Sequence, residues 1–238
     1  MKIVLVTGAN RGLGFETSKQ LAELGFKVYM GCRDEKRGTD AVNSLLDQRH
    51  NVEFVKLDVT KTKDIRNFQD HLKKSKETLD VLINNAGVFL ESVSPTDTTT
   101  SSLFKVDPVI VLKSIETNTV GPFKLIQSLV PVMLEKGQGR VINISSGMGV
   151  LSEESTGHWP GYRMSKTALN GLTRIVHGEV GDKGISVNSV CPGWVRTDMG
   201  GEDAVLSADD AVKTIIWLST MDNPPSGKFF RDKKEISW

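Results

Sequence analysis

The sequence predicts an α/β fold: a doubly wound, mostly parallel sheet with helices on both faces. Two observations carry that expectation. Six short apolar runs alternate with segments whose apolar residues recur at helical spacing. Apolar runs separated by helical patterns imply βαβ units and a parallel sheet covered on both faces. No Pro/Gly/Ser-rich linker or short-period repeat divides the 238 residues, so a single domain over residues 1–238 is expected.

The elements follow in order. Ile3 to Val6 reads as the first strand, and Leu13, Leu21, Ala22 and Leu24 as a helix that stops at Gly25. Phe26 to Cys32 is the second strand. Asp34 is placed to cap a helix through Ala41, Val42, Leu45 and Leu46. Val52 to Leu57 is the third strand, and Ile65, Phe68 and Leu72 mark the helix behind it. Lys73, Lys74 and Lys76 suit that helix's negative end. Leu79 to Ile83 is the fourth strand. The Ser/Thr-rich stretch Glu91 to Ser102 reads as a surface loop. A helical region runs from about Pro108 to Glu135, with Pro131 expected to kink or stop it. Val141 to Ile144, a helix from Gly161 to Val180, and a strand from Ile185 to Cys191 follow. Ser207-Ala208-Asp209-Asp210 has the form of a capping box for a helix through Leu218, and Gly227 to Phe230 reads as a last edge strand.

Composition excludes several classes. Thirty basic side chains against 29 acidic ones leave a net charge of +1, which argues against a generic nucleic-acid binder. Cys32 and Cys191 are too few for a disulfide scaffold and sit in apolar runs, so buried thiols and a cytoplasmic protein are expected. The apolar run at the N-terminus ends at Gly8, too short for a membrane span or a signal peptide. His50, His71, His158 and His177 lack ligand spacing, so no metal is expected.

The first strand runs directly into Thr7-Gly8-Ala9-Asn10-Arg11-Gly12-Leu13-Gly14. Gly8 permits a sharp turn, Gly12 a close backbone approach to a pyrophosphate, and Gly14 tight packing of helix on sheet. The helix start behind it offers unpaired N–H groups to phosphates. After a strand and before a helix, this triplet makes nucleotide binding the favoured reading.

The spacing G-x-x-x-G-x-G, with Thr7 before it, resembles the short-chain dehydrogenase/reductase family. The resemblance continues through Asn84-Asn85-Ala86-Gly87 after the fourth strand, Asn118, Ser145-Ser146, Tyr162-Arg163-Met164-Ser165-Lys166 and Pro192-Gly193. Arg33-Asp34-Glu35-Lys36-Arg37-Gly38, the octet Pro192 to Met199 and the tail Gly227 to Trp238 resemble the carbonyl-reductase-like branch. The resemblance implies a Rossmann-type fold and NADP(H). Cys32 occupies the position where NAD-dependent members place an acid, and Arg33 follows it. Arg11, Arg33 and Arg37 are expected to meet one 2′-phosphate, with Asp34 either a helix cap or, one residue out of register, an NAD-type acid. Further cofactor contacts are expected from Gly8, Asn10, Gly12, Leu13, Gly14, Asp58, Val59, Asn85, Ala86, Gly87, Pro192, Gly193, Val195 and Thr197.

The resemblance also implies the reaction centre. Tyr162 would give a proton to a carbonyl that receives hydride from the nicotinamide. Lys166, one helical turn on, would lower the phenol pKa and bond the nicotinamide ribose. Ser146 would hold the substrate oxygen, with Ser145 its near rival, and Asn118 would hold a relay water. The expected partner is a small carbonyl or alcohol substrate, reduced with NADPH or oxidised with NADP. A non-catalytic NADP(H) sensor is the alternative from another class. Phe89, Met148, Trp159, Trp194 and Met199 are candidates for an apolar pocket, each at least as fit for packing. Monomeric carbonyl reductases carry a long insertion before the tyrosine. Only fifteen residues lie between Ser146 and Tyr162 here, so a homodimer or homotetramer is expected through the helices at Pro108–Glu135 and Tyr162–Val180.

Overall fold

The computed structural model describes residues 1–46, 50–91, 101–152 and 157–238. The six predicted strands are β1 (Ile3–Thr7), β2 (Lys27–Cys32), β3 (Val52–Lys56), β4 (Val81–Asn84), β5 (Gly139–Ile144) and β6 (Ile185–Val190). Two short strands follow, β7 (Phe229–Arg231) and β8 (Lys234–Ile236). The sheet order is β3-β2-β1-β4-β5-β6-β7-β8, parallel except for the antiparallel β7–β8 pair. The chain first runs outward from β1 to β3 and then restarts at β4, on the other side of β1. Such a reversal opens a crevice at the strands' carboxyl ends.

Helices α1 (Gly12–Glu23), α2 (Glu35–Leu46), α3 (Thr62–Ser75), α4 (Pro108–Ile115), α5 (Gly121–Lys136), α6 (Pro160–Val180), α7 (Ala208–Ala211) and α8 (Lys213–Thr220) cover the sheet. Strand periodicity sends alternate residues to opposite faces. Val4, Val6, Val28, Met30 and Ile142 pack with Leu21, Val42, Leu45 and Ile215, while Leu5, Tyr29, Leu82, Val141 and Val187 pack with Phe68, Leu129 and Leu169. A buried polar chain fastens α6 to the sheet. Asn84 Nδ2 donates to Asn143 Oδ1, Asn143 Nδ2 donates to Thr173 Oγ1, and Thr173 Oγ1 meets Ser189 Oγ, each at 2.8 Å.

Three expectations change. Pro131 does not stop α5, which continues to Lys136. Pro131 and the i−4 residue Gln127 both lie on the exposed face, so the freed carbonyl has water within reach. The capping box forms, with Asp210 N–H donating to Ser207 Oγ at 3.1 Å, but the helix is divided at Val212. The last edge strand is a hairpin rather than one strand, and its tail ends with Trp238 stacked on Phe229 at 5.5 Å. Most of the expected surface loop, residues 92–100, lies outside the described residues.

Candidate active site

The glycine turn sits where β1 meets β4. Gly8 has φ +64°, and a Cβ there would lie 2.9 Å from the Ala86 Cα. A Cβ on Gly14 would strike the Gly8 carbonyl and the Asn85 amide, so α1 can start this close to the strand ends only with glycine. Thr7 Oγ1 accepts from the N–H groups of Asn85 and Ala86 at 3.0 and 2.9 Å. Asn85 Nδ2 donates back to the Thr7 carbonyl at 2.8 Å and to the Gly8 carbonyl at 3.2 Å. Asn85 is thus a strut between the turn and β4. Arg11 at the N-cap of α1 makes no side-chain capping bond, which leaves the first-turn N–H groups of Gly12, Leu13 and Gly14 for an anion.

Asn10, Arg11 and Arg37 line one cleft of about 470 Å³, together with Phe15, Asp40, Ala41 and Ser44. Arg11 also forms an ion pair with Asp198, bridging the glycine turn to the segment after β6. Arg33 is exposed beside the end of β2, and its charge acts on Asp58. Asp34 is a cap: its Oδ1 accepts from Arg37 N–H at 2.9 Å, and that bond holds its carboxyl below the usual range. Asp58 does not cap α3. It closes an Asx turn on Thr60, with bonds of 3.0 and 2.8 Å to the N–H and hydroxyl. Burial works against its charge, but those bonds and the Lys61 and Arg33 charges hold its carboxyl low. Val59 is buried against Gly121.

The other wall comes from Pro192 to Met199. Gly193 has φ +83°, Val195 is buried and bridged to Leu206, and the Thr197 side chain packs on Gly12. The Thr197 hydroxyl accepts from Gly200 N–H at 3.2 Å. Trp194 and Met199 are exposed at the crevice mouth.

Tyr162 and Lys166 lie one turn apart on α6. The Ser146 side chain is near enough to the Tyr162 phenol to act on it, lowering its pKa. Ser145 faces elsewhere: it is buried and donates to the Lys166 carbonyl at 3.4 Å. Lys166 Nζ donates to the Ile144 carbonyl at 2.8 Å and lies 5.6 Å from the Tyr162 ring centroid. Burial pushes the phenol up to about 12, against the pull of Ser146, and pulls the amine down to about 8. Burial thus acts on the phenol in the direction opposite to the lowering expected from Lys166. Gly87 brings the backbone beside both Asn118 and Lys166.

Asn118 sits in a single π-helical turn, Glu116–Val120, between α4 and α5. Its side chain is fully engaged. Nδ2 donates to the Val88 carbonyl and to Ser165 Oγ, both at 2.9 Å, and Oδ1 accepts from Val88 N–H at 2.8 Å. Residue 122 is proline, so the Asn118 carbonyl has no helical donor four residues on.

Phe89 stacks near Tyr162 with ring centroids 4.6 Å apart, and Trp159 lies 6.3 Å from Phe89. Met148 is half-buried and follows Ser146, which accepts its N–H at 3.1 Å. One residue at the site went unread in the sequence. Glu91 is buried and accepts the N–H groups of Gly161 and Tyr162. The available signal was Trp159 at the N-cap of α6, a residue that cannot cap a helix and so demands a remote acceptor. Among the described residues no group of three or more His, Cys, Asp or Glu could hold a metal ion.

The family model for short chain dehydrogenases matches residues 2–205. The chain belongs to the short-chain dehydrogenase family. This dehydrogenase is 31% identical to carbonyl reductase [NADPH] 1 of Rattus norvegicus over 283 aligned positions, covering 99% of this chain and 98% of the relative. It is 30% identical to (+)-neomenthol dehydrogenase of Arabidopsis thaliana, covering 99% and 97%. Alignments longer than the 238-residue chain mean that these relatives carry residues it lacks. The crystal structure of an NADPH-bound carbonyl reductase from chicken fatty liver superposes with a TM-score of 0.86 at 29% identity, covering 100% of both chains.

Proposed function

We propose that this dehydrogenase reduces a ketone or aldehyde to an alcohol with NADPH, Tyr162 supplying the proton. The observation that carries the reading is the convergence of Tyr162, whose phenol Ser146 acts on, with the buried Lys166, whose Nζ lies 5.6 Å from the Tyr162 ring centroid. The chain fits NADP(H): an uncapped helix start faces the glycine turn, and two arginines line the adjacent cleft. When bound, the reduced nicotinamide supplies hydride. Asn10, Arg11, Arg33 and Arg37 would favour the extra phosphate of NADPH over NADH through charge-assisted bonds. Asp58, Val59 and the segments 85–87 and 192–197 would flank the rest of the cofactor.

With its phenol near 12, Tyr162 holds its proton at neutral pH and is an acid in the reductive direction. Ser146 donates to the carbonyl oxygen and keeps it at the phenol. The Lys166 ammonium compensates the phenolate that remains. Reprotonation runs through a water held at Asn118. Phe89 and Trp159 extend an aromatic wall from Tyr162, which suits an apolar carbonyl substrate.

No helix among the described residues is long and apolar enough to cross a membrane. Cys32 and Cys191 are buried free thiols, which supports a cytoplasmic setting. Exposed apolar residues on α4, α5 and α6, among them Leu112, Phe123, Met164 and Ile175, support assembly as an isologous homodimer.

The test is NADPH consumption with a panel of quinones, aldehydes and cyclic ketones. Turnover that disappears in Tyr162→Phe is expected. Tight NADPH binding with no turnover on any carbonyl would replace the reductase with a sensor.

A further inference from the structure

Helix α6 carries both Tyr162 and Lys166, yet it has no cap of its own. Trp159 holds the N-cap position at φ +53°, His158 precedes it at φ +59°, and Pro160 follows. Two successive non-glycine residues in the left-handed region are strained, so surrounding contacts must hold them. Ser101 supplies one, accepting Trp159 N–H on its carbonyl at 2.7 Å.

Glu91 supplies the decisive pair. Its Oε1 accepts Gly161 N–H at 2.7 Å and its Oε2 accepts Tyr162 N–H at 2.9 Å. The carboxylate therefore satisfies two of the open donors of the helix and faces the positive end of its dipole. It is only 4% exposed; burial raises its carboxyl above the usual range, and these two bonds oppose that rise. The junction has no slack: a Cβ on Gly161 would lie 3.1 Å from the Val111 Cα and 3.3 Å from Glu91 Oε1. The segment that ends at Glu91 touches the centre at every step. Gly87 lies beside Lys166, Val88 holds Asn118, and Phe89 stacks on Tyr162.

We propose that Glu91 is a positioning residue for Tyr162. Its carboxylate fixes the first turn of α6 so that the Tyr162 ring keeps its place against Phe89 and the Phe89–Trp159 wall is held. The inference rests on the reading of Tyr162 as proton donor. It goes beyond that reading by assigning the geometry of the donor to a side chain 71 residues away in sequence.

Glu91→Ala and Glu91→Gln in the full chain test it. Misplacing a reacting group by about 1 Å costs roughly 100-fold in rate. Glu91→Ala is expected to lower kcat by roughly 10- to 100-fold, with the Kd of NADPH within about twofold of the parent. Glu91→Gln keeps one good acceptor and is expected to recover most of the loss. A cap that merely stabilised the fold would lower Tm and leave kcat of the folded protein unchanged.

A second readout does not depend on turnover. The chain has only two tyrosines, Tyr29 and Tyr162, so ¹³C-labelled tyrosine gives a separate ring resonance for each, assigned with Tyr162→Phe. Glu91→Ala should shift and broaden the Tyr162 resonance and leave that of Tyr29 in place. If Glu91→Ala does not fold, Glu91→Gln decides, a smaller shift with a partial loss of kcat supporting the role. Wild-type kcat and an unmoved Tyr162 resonance in the folded variants overturn it. A parent protein inert toward every carbonyl, whose Tyr162 resonance still answers to Glu91, would sink the reductase reading and leave the positioning role standing.

Discussion

Ser145 and Ser146 are neighbours in the chain with different partners, because successive residues of an extended segment point to opposite sides. Ser146 acts on the Tyr162 phenol, whereas Ser145 is buried against the backbone of α6. Ser146→Ala should lower kcat/KM by roughly 100- to 1000-fold, as removal of an oxyanion donor does, with NADPH affinity unchanged. Ser145→Ala should cost about 1 kcal/mol of stability and little rate, since it loses one long buried bond. Parallel kinetics and urea titrations check both, and the reverse pattern would move the role to Ser145. Lys166 gives a pH signature. Its amine falls from the ordinary 10.5 to about 8 on burial. Below pH 8 it is charged in both folded and unfolded chains, and burying that charge costs about 3 kcal/mol. Between about pH 8 and 10.5 the unfolded chain holds a proton that the folded one has released, so this cost fades as pH rises. Urea midpoints of the parent should therefore gain on those of Lys166→Met between pH 7 and pH 10. A constant gap would place the folded lysine at its ordinary pKa. These residue types were legible because Tyr-x-x-x-Lys is local. Their environment was not, since the apolar shell that shifts both groups is assembled from distant elements.

The elements that were legible are those whose signal is periodic and local. β1 and β6 are buried at every residue; the apolar run of β1 and the recurring Ile185, Val187 and Val190 of β6 announce them. The long helical stretch was legible too, but not its interruption. The π turn at Glu116–Val120 carries four successive polar residues, Glu116 to Thr119, and Pro122 lacks the N–H opposite Asn118, but neither signal by itself specifies a π turn. Pro131 misled for the complementary reason. Proline removes one bond wherever it stands, and the consequence depends on whether the freed carbonyl is wet, which is a property of the packed helix. β8 escaped because Lys234–Ile236 is three residues, two of them charged, paired only at an edge. Glu91 escaped because a cap supplied from the connection after β4 has no spacing rule. What the sequence did contain was a negative sign, a helix beginning at Trp159-Pro160 with no residue able to cap it.

At the scale of the whole molecule, the short connection before Tyr162 decides which surface is left open. Fifteen residues link Ser146 to Tyr162, and the outward face of α6 carries Met164, Gly171, Ile175 and Gly178 at helical spacing. Met164 is 52% exposed and Ile175 63%, and open space lies where Cβ atoms on Gly171 and Gly178 would be. Small residues beside apolar ones let two helices approach closely. Leu112 and Phe123 lie on α4 and α5, and α4 packs directly on α6. An apolar face of this kind is uncommon on a monomer, and a two-fold axis would bury it against its own copy. Light scattering at micromolar concentration should give at least twice the 26.1 kDa chain mass. Ile175→Glu would place a charge in each half of the interface, with no cation of α6 on that stripe to pair it, and should return the protein to monomers. Because Tyr162 and Lys166 lie on the same helix, a dimer through this face would also stiffen the reaction centre. The monomeric variant should therefore lose Tm and part of kcat together. A parent protein that is already monomeric would show that this face is covered by neither copy, and that the glycines of α6 serve some other approach.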